Sequence, residues 1–199
     1  MGLLDLITGG KGLRKPTRIR HQGKKLSEIL DAHNNHFLGK AGGQRADLTG
    51  ADLRLADLRH ANLSGAILDG AKLEGADLRQ AKLTHASLAG AQLRGADLRS
   101  TDLTEAHLPG VNLSEAQASG VEFFRCDLSN ADFRRANLRN ANFRLANIRG
   151  ALFAGADMGV TILRETNLEG VDLSGVDLTT TLLPKGYTQP AAPAPTHQP

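Results

Sequence analysis

A five-residue period runs without interruption through most of this chain and restricts its fold more than any other feature. From Ala46 the sequence reads ADLTG, ADLRL, ADLRH, ANLSG, and the period continues to TLLPK at 181–185, which makes 28 consecutive pentapeptides. Position one is small, and position three is Leu, Phe, Ile or Met in every unit except the one that contains Ala118. A period of five fits neither a helix nor a strand. It predicts a solenoid in which each unit forms one short side and a corner.

Within each pentapeptide, the residue types separate an interior from a surface. Position three fills the interior, and position one is small because its side chain also points inward. Positions two, four and five are mostly polar and are predicted to face water. Gly recurs at position five, for example at Gly50, where a tight corner favours it, although Leu55 shows that it is not required. Aromatic residues make up only 4% of the chain, so this core is built mainly from Leu and Ala.

The motif A-(D/N)-(L/F)-x-x, present here as ADLRL, ANLSG, ADFRR and ANFRL, resembles that of the pentapeptide-repeat family over residues 46–185. The resemblance implies an all-β solenoid, a right-handed quadrilateral β-helix with four pentapeptides per coil. The 28 units would then form about seven coils, stacked at roughly 4.8 Å into a rod about 34 Å long. Residues twenty apart would stack, which places Phe123 over Phe143 and Phe133 over Phe153.

Composition and periodicity divide the chain into four segments. Residues 1–24 are expected to form a flexible basic arm, and residues 25–45 a capping helix and linker. The rod spans 46–185, and residues 186–199, which end in PAAPAPTHQP, are expected to be a disordered Pro-rich tail. Apolar residues at helical spacing predict a helix over 26–38 that covers the open first coil. This helix followed by GGQRADLTGADL resembles the leader of many bacterial pentapeptide-repeat proteins.

Charge is divided unevenly between these segments. Residues 1–45 carry a net charge of +6 and residues 46–185 a net charge of −3. The basic arm is open to three interpretations: a solvated tail, a contact with anionic phospholipid in which Leu3, Leu4, Leu6 and Ile7 form a shallow anchor, or a nucleic-acid contact. Nucleic acid is the least favoured, because no aromatic residue interleaves the basic ones. The candidate lipid or anion contacts are Lys11, Arg14, Lys15, Arg18, Arg20, Lys24 and Lys25.

Apolar residues interrupt the polar surface pattern on one side of the C-terminal half of the rod. In a four-sided coil, Phe124, Leu145, Ile162 and Leu182 fall on the same side, and Val160 falls at the adjoining corner. Exposed apolar patches often mark interfaces, and arginine is enriched there. We expect a protein partner of unknown identity, or a homodimer contact, on this surface. The candidate residues are Phe124, Leu145, Val160, Ile162, Leu182, Arg144 and Arg164.

No set of residues in the sequence is typical of a catalytic, cofactor or metal site, so we do not expect an enzyme. Asp residues at position two, such as Asp77, are predicted to form an alternating salt-bridged wall with Arg residues such as Arg79. His33 and His36 have a spacing that can ligate a metal, but no acidic or Cys partner accompanies them. Cys126 is expected to be a buried and inert thiol.

These features favour a non-catalytic interaction scaffold or adaptor in the cytoplasm. A membrane-surface adaptor, peripheral at the inner membrane through the basic arm, is the first alternative. The family resemblance implies another, because the fluoroquinolone-resistance members resemble DNA in shape and charge and bind DNA gyrase. That mechanism requires a strongly anionic rod, and a rod of −3 whose Asp residues stand beside Arg does not favour it.

Overall fold

The computed structural model describes residues 12–188, which form an N-terminal cap over residues 12–45 and a repeat rod over residues 46–185. The cap begins with a short 3-10 helix, Pro16–Arg18. A two-residue antiparallel hairpin follows, with strand β1 at Arg20–His21 and strand β2 at Lys24–Lys25. Helix α1 spans Leu26–Phe37 and completes the cap.

The rod is held together by parallel backbone bridges between residues twenty apart, in columns such as Asp57, Asp77 and Asp97. The N–H of Leu78, for example, donates to the carbonyl of Asp97 over 2.7 Å. One coil therefore contains four pentapeptides. We call the four sides of the rod the first, second, third and fourth faces, for the pentapeptides that begin at residues 46, 51, 56 and 61 and at every twentieth residue thereafter.

The interior contains the residues at positions one and three, which are buried along nearly the whole rod. The predicted phenylalanine stacks are present. Phe123 and Phe143 stack with ring centroids 4.7 Å apart, and Phe133 and Phe153 with centroids 5.1 Å apart. Phe143 also meets the edge of Phe133 at 5.5 Å, so the two stacks form one aromatic cluster. Each such buried side chain contributes roughly 1.5–3 kcal/mol before the entropy cost.

Buried hydroxyl or thiol groups at position one add internal hydrogen bonds that the repeat pattern does not reveal. Thr101 Oγ1 donates to the carbonyl of Leu78 over 2.8 Å. Thr161 Oγ1 donates in the same way to the carbonyl of Leu138, which also lies 23 residues earlier in the chain. Cys126 Sγ donates to the carbonyl of Leu103 over 2.8 Å. Burial raises the pKa of this thiol to about 12, as expected for an inert cysteine.

Every corner of the rod from Gly50 to Gly175 has its position-five residue in the left-handed region, with φ between 56° and 72°. Glycine adopts this conformation without steric cost. Other residues are strained in this conformation, and a β-branched residue such as Val160, with φ of 58°, is unusual in the left-handed region. The left-handed conformation thus explains why Gly is common at position five. A non-glycine residue at this position needs another reason for its presence.

Residues 12–24 differ from the flexible arm expected, because they pack against the first coil, and the domain boundary at residue 24 is corrected accordingly. The N–H of Arg14 donates to the carbonyl of Leu55 over 2.6 Å, and its carbonyl accepts from the N–H of Asp57 over 2.9 Å. Ile19 is fully buried in the same core as the rod. The physical reason is that the first coil has no preceding coil, so this segment satisfies its open backbone edge and covers its interior.

Helix α1 lies against the first coil and ends one residue before the predicted limit at 38. Its Leu26 is fully buried, and Ile29 and Leu30 pack against the core of the rod. The backbone N–H of Lys25 donates to Glu28 over 3.0 Å at the start of the helix. Of the basic residues expected on the arm, Lys11 lies outside the described residues, as do the last eleven residues of the Pro-rich tail.

The final coil, residues 166–185, is less completely paired than the others. Bridges join it to the preceding coil at Leu152 with Asp172 and at Ile162 with Leu182. Within residues 12–188, no equivalent bridge forms at position two of its first or third face. The Ile162–Leu182 pair, reinforced by the N–H of Leu163 donating to Leu182 over 2.8 Å, therefore anchors this coil through the fourth face.

Candidate functional site

The apolar residues predicted on one side of the rod do lie together on and beside its fourth face. Asn142, Ile162 and Leu182 form one column of consecutive bridges. Leu145 is 45% exposed and Val160 is 41% exposed, whereas Ile162 and Leu182 are half-buried. The surface therefore combines two exposed aliphatic corners with two partly covered aliphatic side chains.

Phe124 belongs to the same face but lies closer to the middle of the rod. It is half-buried, and the guanidinium carbon of Arg125 lies 5.0 Å from its ring centroid. This distance permits a cation–π contact. Arg125 also forms an ion pair with Glu105 over 3.3 Å, so its positive charge is partly neutralised within the fourth face.

The two predicted rim arginines differ in their partners. Arg144 pairs with Glu165 over 3.0 Å. Arg164 is exposed, and among residues 12–188 no carboxylate lies within ion-pairing distance of it. We call Phe124, Leu145, Val160, Ile162, Leu182, Arg144 and Arg164 the fourth-face surface.

Two corners of this surface combine the left-handed backbone found at every corner from Gly50 to Gly175 with an exposed aliphatic side chain. Val160 and Leu145 have φ values of 58° and 57°, in the region that favours glycine. A non-glycine residue in this conformation costs roughly 1–2 kcal/mol. Because both side chains are exposed, burial does not offset that cost. Polar residues such as Gln80 and Ser100 hold the same conformation at other exposed corners, so the distinguishing feature of Val160 and Leu145 is the exposed aliphatic side chain, which often marks an interface.

Other exposed apolar residues were not among the predicted site residues. Leu152 is 46% exposed on the second face, and Phe37 and Leu38 are 52% and 64% exposed at the end of helix α1. The same signal, an apolar residue at an outward position two, could have identified Leu152 from the sequence. Phe37 and Leu38 carry no such signal, because the helical pattern predicted them on the buried face.

The third face carries the predicted salt-bridged wall, and the structure confirms it. Asp57 pairs with Arg59 over 2.7 Å, Asp77 with Arg79 over 2.7 Å, and Arg59 reaches on to Asp77 over 3.7 Å. Asp97 continues the same alternation in the next coil. Hydrogen bonds from the Arg59 guanidinium lower the pKa of Asp57. These carboxylates are therefore neutralised within the face rather than presented as free anions.

The candidate lipid or anion contacts within the described residues fall into two groups. Arg14 pairs with Asp52 over 3.4 Å, and Lys25 approaches Glu28 at 3.9 Å, while Arg20 donates to the carbonyl of Gly23 over 3.0 Å. A second group is exposed and, within the described part of the chain, has no carboxylate at ion-pairing distance. Its members are Lys15, Arg18 and Lys24, which we call the free cap cations.

Between residues 12 and 188, no three His, Cys, Asp or Glu side chains are grouped so as to hold a metal ion. No helix in this range has both the length and the apolar character needed to cross a bilayer.

Four-sided coils stacked at a register of twenty residues define a class of solenoid, and comparison with known proteins identifies its family. The family model for pentapeptide repeats matches in eight copies, and the matched ranges cover more than half of the chain. This chain therefore belongs to the pentapeptide repeat family, whose members are right-handed β-helices and are generally non-enzymatic scaffolds. The matched ranges are 44–80, 68–99, 76–114, 122–159 and 141–179.

Several solved structures are similar to this chain. HetL, a pentapeptide repeat protein involved in heterocyst differentiation regulation from the cyanobacterium Nostoc sp. strain PCC 7120, is 30% identical, with 73% of this chain and 88% of HetL covered and a TM-score of 0.32. The protein alr5209, from Nostoc PCC 7120, is 26% identical, with 79% and 86% covered and a TM-score of 0.26. Full-length QnrB1, a plasmid-mediated fluoroquinolone resistance protein, is 21% identical, with 66% and 79% covered and a TM-score of 0.35. No curated protein sequence matches the chain.

Proposed function

We propose that this protein is a non-catalytic interaction scaffold, a rod of about seven coils that binds a protein partner through the fourth-face surface. The observation that carries the proposal is Val160. It is a β-branched residue held at φ 58°, and 41% of it is exposed to solvent. Neither corner geometry nor burial accounts for valine at this position, whereas contact with a partner does.

The neighbouring residues support the same surface. Leu145 repeats the combination of left-handed backbone and exposed aliphatic side chain. Arg164 supplies a guanidinium without an intramolecular carboxylate partner among residues 12–188. Interfaces commonly join an apolar centre to a polar rim and are enriched in arginine. We propose a protein partner, with self-association of two copies through this surface as the specific case to test first.

The charge distribution bears on the alternative of DNA mimicry. On the third face, the carboxylate of Asp77 is fully buried and lies between Arg79 at 2.7 Å and Arg59 at 3.7 Å. A rod that imitates DNA must present free negative charge along its length. The pairing of these carboxylates with arginine favours the scaffold over a regulator of a DNA topoisomerase.

A matched pair of variants tests the surface. Leu145→Ser combined with Val160→Gly removes both exposed aliphatic corners. Leu152→Ser removes an equally exposed aliphatic residue from the second face and serves as the control. Neither change touches the core, so we expect both proteins to keep the far-ultraviolet circular dichroism of the unmodified chain. The thermal midpoint should not fall in either protein, and it should rise in the double variant, because glycine at position 160 relieves the left-handed strain of Val160.

Sedimentation equilibrium and cross-linking pull-down then provide the readouts. We expect the double variant to lose self-association, or to lose a single stoichiometric partner, while the Leu152→Ser protein retains it. Equal loss in both variants, or retention in both, would remove the fourth-face surface from consideration. A topoisomerase recovered as the partner would overturn the electrostatic argument instead.

A further inference from the structure

We propose that the cap is a docking surface for anionic phospholipid, and that it places the rod end-on to the membrane. The inference goes beyond the scaffold function, because it concerns the opposite end of the molecule from the fourth-face surface. It rests on the charge of the cap, on how firmly the cap is joined to the rod, and on the residues that precede it.

The charge of the cap differs in sign from that of the rod. Residues 12–45 contain eight Lys or Arg and two acidic residues, which gives a net charge of +6. The final coil, residues 166–185, contains three acidic residues and one Lys, which gives −2. The molecule is thus strongly basic at one end and weakly acidic at the other.

The free cap cations carry the part of this charge that lies around the 3-10 helix and the hairpin. Lys15 immediately precedes the 3-10 helix, Arg18 is its last residue, and Lys24 lies in the adjacent hairpin. All three are exposed, and no carboxylate among residues 12–188 neutralises them. Each Lys or Arg close to an anionic bilayer contributes about 1 kcal/mol to membrane attraction.

The cap presents these cations from a folded base and not from a loose arm. Ile19, between Arg18 and the hairpin, is fully buried in the core of the rod. The bridge between Arg14 and Ala56 fixes the segment just before them. The direction of the basic surface is therefore set relative to the rod, so that docking through it also sets the direction of the rod.

Phospholipid, rather than nucleic acid, fits the residues next to this surface. The eleven residues that precede Gly12 include Leu3, Leu4, Leu6 and Ile7, and they are joined directly to the cap. Adjacent aliphatic and basic residues suit an interface of acyl chains and phosphate headgroups. No Phe, Tyr or Trp lies between Lys11 and Lys25 to stack on bases.

Screening by salt limits the electrostatic attraction of an anionic membrane to the end of the rod that touches it. The Debye length at physiological ionic strength is about 8 Å. A rod of about seven coils is roughly 34 Å long. The acidic final coil therefore lies beyond the reach of the membrane potential when the cap is docked, and the fourth-face surface stays open to a soluble partner.

Vesicle co-sedimentation of the full chain tests the docking surface. We compare phosphatidylcholine vesicles with and without phosphatidylserine, at low and at physiological salt. Replacing Lys15, Arg18 and Lys24 by Ser should weaken binding to phosphatidylserine vesicles by ~100-fold. The matched control replaces three exposed cations on the sides of the rod by Ser: Lys72, Lys82 and Arg135. We expect this control to bind like the unmodified chain.

A second measurement tests the orientation. A polarity-sensitive dye is attached through Thr17→Cys in the cap or through Ser174→Cys in the final coil, while Cys126 remains buried and unlabelled. We expect the emission to shift with phosphatidylserine vesicles only for the cap label. Equal shifts at both labels would overturn the end-on arrangement.

Lipid docking itself would be overturned if the unmodified chain did not bind phosphatidylserine vesicles. It would also be overturned if the control substitutions weakened vesicle binding as much as the cap substitutions do. A third contrary result would be a chain that binds duplex DNA but not vesicles, and that needs the free cap cations to do so. If the cap variant unfolds, the unmodified chain still provides a test, because its binding to phosphatidylserine vesicles should be weaker at physiological salt than at low salt. None of these results depends on the fourth-face surface, so the scaffold proposal is tested separately.

Discussion

The backbone N–H of Ala46 donates a hydrogen bond to Nδ1 of His33 over 3.0 Å, and this contact ties helix α1 to the first residue of the rod. His33 is fully buried at this junction. Burial lowers the pKa of His33, and the nearby charges of His36 and Arg45 act in the same direction, while the backbone of Ser64 opposes them. Protonation would remove the acceptor that Ala46 uses.

We therefore predict that stability falls in acid through His33. The folded-state pKa lies below the unfolded value of about 6.5, so the unfolded chain binds more protons as the pH decreases. The contribution is complete above about pH 6.5 and is lost as the pH falls below it. Loss of the hydrogen bond itself costs about 0.5–1.5 kcal/mol.

Thermal unfolding of the unmodified chain and of His33→Gln, measured from about pH 8 to about pH 5, checks this prediction. Glutamine can still accept from Ala46 but does not titrate in this range. The midpoint of the variant should decrease less than that of the unmodified chain. His60→Gln, at an exposed corner, should leave the pH dependence unchanged. Identical pH profiles for the unmodified chain and His33→Gln would contradict the role given to His33.

Asp77→Asn should destabilise the rod by about 1–3 kcal/mol. The substitution removes the charge of a fully buried carboxylate that pairs with Arg79 over 2.7 Å and lies 3.7 Å from Arg59. Asp102→Asn is the control, because its carboxylate accepts from the N–H of Thr104 and has no Lys or Arg partner in the range 12–188. Chemical denaturation should separate the two variants, and equal stabilities would show that the third-face wall contributes nothing.

Ile19→Ala should destabilise the protein by about 2–4 kcal/mol, because it opens a cavity in the core shared by the cap and the first coil. Ile67→Ala changes a half-buried side chain on the first face and should cost less. Denaturant unfolding, followed by circular dichroism, measures both. A neutral effect of Ile19→Ala would restore the view that residues before the helix are a dispensable arm.

The repeat made the rod predictable from sequence, because each coil contacts only its neighbours and every pentapeptide repeats the same local pattern. The period of five indicated inward positions one and three, and the register of twenty placed Phe123 over Phe143, as the structure confirms. The same register brought Ile162 and Leu182 onto one face. Identical local rules applied many times leave few alternative arrangements.

The cap depended on tertiary structure, because no local pattern distinguishes its ordered residues from a basic tail. Ile19 is a single apolar residue among Arg18, Arg20 and Lys24, and it shows no periodicity. Its burial follows from the open end of the first coil. The unpaired backbone edge of that coil forms a bridge between Ala56 and Arg14, which lies 42 residues earlier in the chain. The sequence by itself determined the repeating coil, since that depends on contacts within and between identical units. Only the tertiary structure decided how the coil begins, since an open edge is satisfied by whichever distant segment fits it.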